Sequence, residues 1–205
     1  MSSIASAAAQ RVRPFRLGPL WPTDTKSIVG SVLLAVCFSI NMQITERLDT
    51  LTGSLIAPFT GAPIANWLGF MFINLWFPVA VIYFGMTGAL IVANFNPILA
   101  VLTATHALAW SFFFLNMCWS VPNTLVFRYF LKQEKELSMS RFISICAVGQ
   151  FIASVGFSVL MLIVFPGAVW WAYVIIPLWN FVMVVPGGVL GYWFFNSVRK
   201  SGVLE

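Results

Sequence analysis

Two long stretches of this sequence contain no charged side chain, and they limit what the chain can fold into more than any other feature. No Asp, Glu, Lys or Arg occurs between Asp49 and Arg128, and none occurs between Arg141 and Arg199. Soluble domains carry roughly 25% charged residues, whereas this chain has 8% charged and 60% hydrophobic residues. Because so few charges cannot cover a water-exposed surface, the sequence predicts an integral membrane protein whose solvent is lipid.

Proline, glycine and asparagine divide these stretches into shorter apolar segments, and one further apolar segment precedes the first stretch. The segments predict an all-α bundle of about six transmembrane helices, because each is apolar over most of its length. The second is long enough to be tilted or kinked at Pro78, and the fourth is short. Turns are predicted at 94–97, 116–122 and 166–167. The predicted spans are residues 27–42, 66–93, 98–115, 119–130, 141–164 and 169–198.

The predicted transmembrane domain covers residues 27–200, between a basic cytoplasmic arm at residues 1–26 and a short tail at residues 201–205. Residues 132–140 form a charged cytoplasmic loop. Residues 44–65 are semi-apolar but rich in helix-breaking residues, which argues against one continuous helix. We therefore predict that this segment is an outer loop that folds back onto the protein like a lid. Its helix breakers are Gly53, Pro58, Gly61 and Pro63.

The basic residues predict how the bundle is oriented. Six spans place the arm, the 132–140 loop with the adjoining Arg141, and the C-terminus on one side, and only Arg47 lies opposite. Cytoplasmic segments carry an excess of Lys and Arg, so both termini are predicted to be cytoplasmic in a multi-pass protein of the cell membrane. The net charge of +5 is therefore interpreted as an orientation signal, and we expect no nucleic-acid partner.

No Asp, Glu or Lys falls inside a predicted span, and this limits the reactions and transport mechanisms that the protein can use. Proton-driven carriers usually use a buried carboxylate or a histidine relay, and His106 is the only histidine. One histidine cannot supply both imidazoles of a bis-histidine haem, and metal-dependent phosphotransfer needs clustered carboxylates. The three cysteines show no metal-ligand spacing. We expect no enzymatic activity, catalytic residue, metal site or cofactor, while sodium coupling through backbone carbonyls stays open.

Asparagine and tryptophan are plentiful toward the predicted outer half of the bundle. Tryptophan anchors spans at the membrane interface and buried asparagine joins helices, so these residues have a structural explanation. Together they also suit a flat, weakly charged heterocycle, because rings stack and amides bond to polar edges. Gln150, nearer the cytoplasm, is interpreted as joining helices. The predicted substrate-binding residues are Asn74, His106, Trp110, Asn116, Trp119, Asn123, Trp179 and Asn180.

Small side chains recur at every fourth position of the first span, at Ser27, Ser31, Ala35 and Ser39. On a helix this spacing forms a nearly straight stripe that allows another helix to approach closely. Packing within the chain's own bundle and docking to a separate membrane subunit explain the stripe equally well.

These features together resemble the substrate-binding (S) components of energy-coupling factor (ECF) vitamin transporters. The residues that carry the resemblance are Ser31-x-x-x-Ala35, the lid-like segment and the C-terminal GGVLGYWFFNSVRKSGVL. The resemblance implies six helices, an outer-half pocket for a small vitamin-like or heterocyclic nutrient, and a first helix that docks on a transmembrane coupling subunit. That subunit works with two ATPases. The stripe has serines where the family usually has alanines.

Two other functions remain open from the sequence. The chain is alternatively a structural or assembly subunit of a larger membrane complex, in which the stripe binds a partner and the asparagines join helices. It is also compatible with a stand-alone sodium-coupled or facilitative carrier, which transports without ATPase partners.

Overall fold

A computed structural model describes residues 17–106, 108–132 and 137–202. All regular structure in these ranges is helical, and four helical stretches are long and apolar enough to cross a membrane. The chain is therefore a multi-pass membrane protein. The first part of the predicted arm, residues 133–136 of the charged loop and residues 203–205 lie outside the described ranges. The helices are α1 (Thr25–Thr60), α2 (Trp67–Thr103), α3 (Phe112–Leu131), α4 (Met139–Val164), α5 (Ala172–Val182) and α6 (Val184–Ser201), with a 3-10 turn at Ala109–Ser111.

Helix α1 is much longer than the predicted first span. It begins at an N-cap formed by Asp24, whose carboxylate accepts hydrogen bonds from the backbone N–H and the hydroxyl of Ser27 at 2.9 and 2.7 Å. These bonds hold the pKa of Asp24 below its usual value. The helix ends at Gly61, which has a left-handed backbone. Its 36 residues extend over roughly 54 Å, well beyond a ~30 Å hydrocarbon core.

The predicted loop at residues 44–65 is therefore wrong for most of its length. Residues 44–60 continue α1, and only residues 61–66 form an irregular return segment. Gly53 does not break the helix. It allows the return segment to pack against α1, because an added Cβ would lie 2.7 Å from the carbonyl oxygen of Pro63. Gly53, which in the sequence predicted a break in the helix, is thus a residue required for close packing.

Helix α2 consists of two limbs that reverse direction at Gly85. This residue has φ 56° and ψ −143°, a combination that is essentially restricted to glycine. Both ends of α2 lie beside the same part of α1: Gly69 donates to Asp49, and Asn96 donates to Glu46. The first limb therefore runs antiparallel to α1 and the second runs back beside it.

The predicted turns at 94–97 and 116–122 are wrong. Residues 94–97 lie within the second limb of α2, and residues 116–122 lie within α3, so the predicted fourth span is the second half of α3. The chain instead turns at Gly85 and between α2 and α3. Asparagine usually favours turns by bonding to its local backbone. Here Asn116 and Asn123 bond to neighbouring helices instead.

The bundle has two distinct ends. At the first, which we call the terminal end, the backbone N–H of Met86 donates to the carbonyl of Leu20 at 2.8 Å, and Arg128 donates to the carbonyl of Gly18. Helix α6 also ends here, since the ring of Phe195 packs at a tilt against that of Tyr83. At the opposite end, the far end, the N–H of Val169 donates to the carbonyl of Thr60 at 3.0 Å. The far end thus joins α1 to the loop between α4 and α5.

The small-residue stripe of α1 faces the inside of the bundle. Ser31, Ala35 and Ser39 have no solvent exposure, and Ser31 lies against Gly88 of α2. Ser27, at the start of the stripe, bonds to Asp24. Since α2 of the same chain covers Ser31, Ala35 and Ser39, the structure favours packing within the bundle over docking of the stripe on a separate subunit. The small residues allow another helix to approach closely, and that helix is α2 of the same chain.

The reversal at Gly85 gives a direct test of the fold. We expect Gly85→Ala to lower the free energy of unfolding by at least about 1–3 kcal/mol, the usual cost of a strained backbone conformation. An added Cβ would also lie 2.5 Å from the carbonyl oxygen of Leu20. Denaturant unfolding in detergent micelles measures the change. Gly167→Ala is the control, because an added Cβ there has no neighbour within 4 Å. Equal stability of the two variants would contradict the reversal.

Candidate functional site

A network of buried amides joins four helices at the side chain of Gln150 on α4. Its Oε1 accepts hydrogen bonds from Asn74 Nδ2 on α2 at 2.9 Å and from Trp119 Nε1 on α3 at 3.2 Å. Its Nε2 donates to the backbone carbonyl of Asn180 on α5 at 2.7 Å. All four residues are fully buried. Gln150 therefore joins helices as predicted, and it brings together three of the predicted substrate-binding residues.

Several buried polar atoms beside this network have no hydrogen-bond partner within residues 17–106, 108–132 and 137–202. They are Oδ1 of Asn74, both side-chain amide atoms of Asn180, and Nε1 of Trp67. Away from water, an unpartnered polar atom costs several kcal/mol, so such atoms indicate a place where a polar partner binds. The ring of Trp67 meets that of Trp179 at 5.9 Å in an edge-to-face arrangement. We call Trp67, Asn74, Trp179 and Asn180 the α2–α5 site.

The chemistry of the α2–α5 site is that of an uncharged binding site. Asn180 offers an NH₂ donor and a carbonyl acceptor, Asn74 offers an acceptor, and Trp67 offers a donor. The two indole rings supply flat apolar surface. None of the four side chains is acidic or basic, so the arrangement is suited to hydrogen bonding and stacking rather than to proton transfer. Trp67 was missed in the sequence because a tryptophan at the start of a span is usually an interface anchor.

His106 and Trp110 lie elsewhere, at the far end of the bundle. They line a crevice of about 320 Å³ together with residues of the second limb of α2. His106 Nδ1 accepts from the backbone N–H of Leu108, and Nε2 lies 3.2 Å from the carbonyl of Ala65. This pattern fits a neutral imidazole with the proton on Nε2. Burial lowers the pKa of His106, which favours the same neutral form.

Asn116 and Asn123 use their side chains to join helices. Asn116 donates to the carbonyl of Ala93 on α2 at 3.0 Å. Asn123 donates to the carbonyl of Cys146 and accepts from the N–H of Gly149, both on α4. The eight predicted residues thus fall into three places: the surroundings of Gln150 and the α2–α5 site, the far-end crevice, and contacts of α3 with its neighbours.

Two carboxylates that the sequence analysis placed in a loop are buried within the bundle. Glu46 and Asp49 lie on α1 with 0% and 1% exposure. Glu46 accepts from Asn96 and Thr105, each at 2.8 Å. Asp49 accepts from the first N–H groups of α2. The predicted position of both residues in an outer loop is wrong, because α1 continues past them and α2 covers them.

Comparison with known proteins identifies the fold. The chain is similar to a solved structure described as an S-component of an ECF transporter, with a TM-score of 0.57 and 16% sequence identity over 89% of each chain. No protein-family model and no curated protein matches the sequence. The chain therefore has the fold of an S component.

The buried amides give a paired prediction, since Gln150 and Asn180 are equally buried but differently bonded. Gln150→Leu removes the partners of Trp119 Nε1 and of the Asn180 carbonyl, so it should cost about 1–3 kcal/mol of unfolding free energy for each. Asn180→Leu removes no side-chain hydrogen bond within the protein, so it should leave stability unchanged or higher. Denaturant titration in detergent measures both. A larger loss for Asn180→Leu than for Gln150→Leu would contradict the assignment.

Proposed function

We propose that this chain is a membrane-embedded substrate-binding subunit that captures a small heterocyclic nutrient for an ECF-type transporter. The observation that carries the proposal is the α2–α5 site, where unpartnered amide and indole atoms lie beside two tryptophan rings. Donors and acceptors of this kind match the edges of a vitamin-like ring. The similarity of the fold to an S component supports the same function.

The proposed topology has six crossings with both termini in the cytoplasm. The two limbs of α2 each have the length of a crossing, and α5 with α6 together provide one more. The distribution of basic residues supports a cytoplasmic terminal end. Arg47, well along α1 toward the far end, is the exception. The basic residues near the terminal end are Lys26, Arg128, Lys132, Arg141, Arg199 and Lys200. On this orientation the α2–α5 site opens toward the outside of the cell membrane.

The last part of α1 and the return segment are proposed to close the site as a lid. Residues 51–66 lie at the far end, and Thr60 bonds to Val169 in the loop that leads into α5. The nearby hydroxyl of Tyr173 donates to the carbonyl of Phe165 and holds the same loop. Because one hydrogen bond is worth only about 1 kcal/mol net, the contact between Thr60 and Val169 can open without unfolding either helix.

A transmembrane coupling subunit with its two ATPases is the proposed partner. It is proposed to dock on the lipid-facing side of α1, which is opposite the buried stripe. Helix α1 packs chiefly against α2, so the described part of the chain leaves one whole side of α1 uncovered. That side is apolar and includes Leu33, Ile40, Ile44 and Leu55.

Mass spectrometry of small molecules extracted from the gently purified protein tests the proposed function. We expect a stoichiometric heterocyclic compound from the unaltered protein and its loss from Asn180→Leu, which removes the unpartnered amide without removing an internal bond. Asn94→Leu is the control, because Asn94 is half-buried and bonds mainly to its own helix. It should retain the compound.

Two results would contradict the proposal. Equal amounts of ligand in the Asn180→Leu and Asn94→Leu proteins would place the ligand elsewhere. An empty unaltered protein that also fails to bind any compound from a mixture of vitamins and their precursors would favour a structural subunit.

A stand-alone carrier is the second candidate function, and the buried Glu46 and Asp49 favour it, because ionisable groups within a bundle often form ion pathways. Uptake of the extracted compound into proteoliposomes distinguishes the two functions. We expect no uptake by this chain alone, since a binding subunit needs its ATPase partners. Uptake driven by a sodium or proton gradient without ATPases would establish the carrier.

A further inference from the structure

Glu46 and Asp49 form a buried acidic pair that the proposed capture of a nutrient does not use. They are three residues apart on α1, so their side chains lie on the same face of the helix. That face packs against both limbs of α2, and the two residues have 0% and 1% exposure. Burying one carboxylate without a compensating charge is expensive, and two neighbouring carboxylates also repel each other.

All hydrogen bonds to this pair within the described residues come from neutral groups. Glu46 Oε1 accepts from Asn96 Nδ2 and Oε2 from the hydroxyl of Thr105. Asp49 Oδ1 and Oδ2 accept from the backbone N–H groups of Leu68 and Gly69 at 3.1 and 2.9 Å. Such bonds reduce the cost of burial, but they do not neutralise the charge.

Among the residues that the structure describes, no positively charged side chain faces the pair from an element packed against it. Helix α2 contains no Asp, Glu, Lys, Arg or His. Arg47 lies between the two acids in sequence but on the exposed side of α1. His106 is held between Leu108 and Ala65, and its burial lowers its pKa, so it is neutral near pH 7.

A second and independent observation is that two further oxygen atoms beside the pair have no hydrogen-bond partner in the described part of the chain. They are Oδ1 of Asn96 and Oδ1 of Asn66, on residues with 0% and 4% exposure. The amide of Asn96 is anchored to Glu46 through Nδ2, which keeps its Oδ1 next to that carboxylate. Asn66 Oδ1 packs directly on Gly69, whose N–H bonds to Asp49. Each of these buried oxygens can accept a hydrogen bond or coordinate a cation, and a positively charged partner at this place would also offset the charge of the two carboxylates.

The far-end crevice provides a route to this pair. Its lining includes Ala104 and His106, which flank Thr105 in sequence, and the Thr105 hydroxyl bonds to Glu46. A hydrated ion at the far end therefore needs to pass only the short loop between α2 and α3 to reach the carboxylate.

We propose that the seam between α1 and α2 binds a monovalent cation, H⁺ or Na⁺, with Glu46 and Asp49 as its charged ligands and Asn96 Oδ1 as a neutral oxygen ligand. Oxygen atoms are the ligands preferred by Na⁺. In the proton form, H⁺ from water adds to the Glu46 carboxylate. The amide of Asn96 then turns so that its Oδ1 accepts the new hydrogen bond, since the two amide atoms occupy equivalent positions.

Cation binding at this seam couples ion concentration to helix packing. The pair contacts both the beginning and the end of α2, so neutralising it holds the two limbs against α1. A ligand that binds only the folded state stabilises it in proportion to the logarithm of its concentration. The site thus makes the closed arrangement of the far end dependent on pH or Na⁺. This inference does not rest on the proposed nutrient capture, and its test needs no substrate.

The test is the thermal unfolding midpoint of the purified full chain in detergent. One series raises NaCl against choline chloride at constant ionic strength and fixed pH. The other lowers the pH from about 8 to about 5 in choline buffer. The first series detects Na⁺ and the second detects H⁺. We expect the midpoint to rise by about 5 °C or more in one series once the cation reaches roughly 100 times its Kd.

Glu46→Gln should lose this rise, because glutamine keeps the shape and hydrogen-bonding atoms of the side chain but has no charge. Asp24→Asn, which alters an exposed acid at the start of α1, should keep it. If Glu46→Gln does not fold, infrared spectroscopy of the unaltered protein decides. A carboxylic acid C=O band that disappears at high pH, or carboxylate bands that shift with Na⁺, supports the site. The proposal would be overturned if the unfolding midpoints of the unaltered and Glu46→Gln proteins changed by the same amount in both series. It would also be overturned if the infrared bands of the unaltered protein changed neither with pH nor with Na⁺.

Discussion

Hydrocarbon offers no hydrogen bonds, so every polar group inside this bundle must find its partner within the chain. The rest of the structure depends on that constraint. Gln150 provides partners for polar groups on three neighbouring helices. Its side chain accepts hydrogen bonds from Asn74 and Trp119 and donates one to the backbone carbonyl of Asn180. Asp49 accepts hydrogen bonds from two backbone N–H groups at the beginning of α2, which have no partner within that helix. These contacts fix the positions of helices whose apolar surfaces alone specify little, since lipid is as apolar as the helices.

Exceptions to the constraint in two places underlie the two proposals, and they differ in chemistry. Beside Gln150, unpartnered donors and acceptors lie next to indole rings, without charge. Between α1 and α2, the unpartnered Oδ1 atoms of Asn66 and Asn96 lie beside two carboxylates. The first place is suited to a neutral ring and the second to a cation. Taken together, the two proposals describe a capture subunit with an S-component fold whose far end responds to the ions around it.

The membrane character, the helical class and the junction of Asn74, Trp119 and Asn180 follow from local features of the sequence: apolar length, and amides within apolar spans. The path of the chain through the bundle does not follow from such local features. Gly85 resembles any other glycine in an apolar run, and its role depends on Leu20, which closes over it. Because Glu46 interrupts the apolar pattern that follows from the first span, the sequence predicted a loop at this position. Its burial depends on Asn96 and Thr105, more than forty residues away, and no local pattern reveals such partners.

An experimentally determined structure of the protein purified from its own membrane, at a resolution that shows bound small molecules, tests the central claim most directly. The account predicts density for a flat molecule within hydrogen-bonding distance of the Asn180 amide and Trp67 Nε1, beside the ring of Trp179. A structure in which the amides of Asn74 and Asn180 bond to each other or to water, with α2 and α5 packed tightly together and no molecule between them, would contradict it.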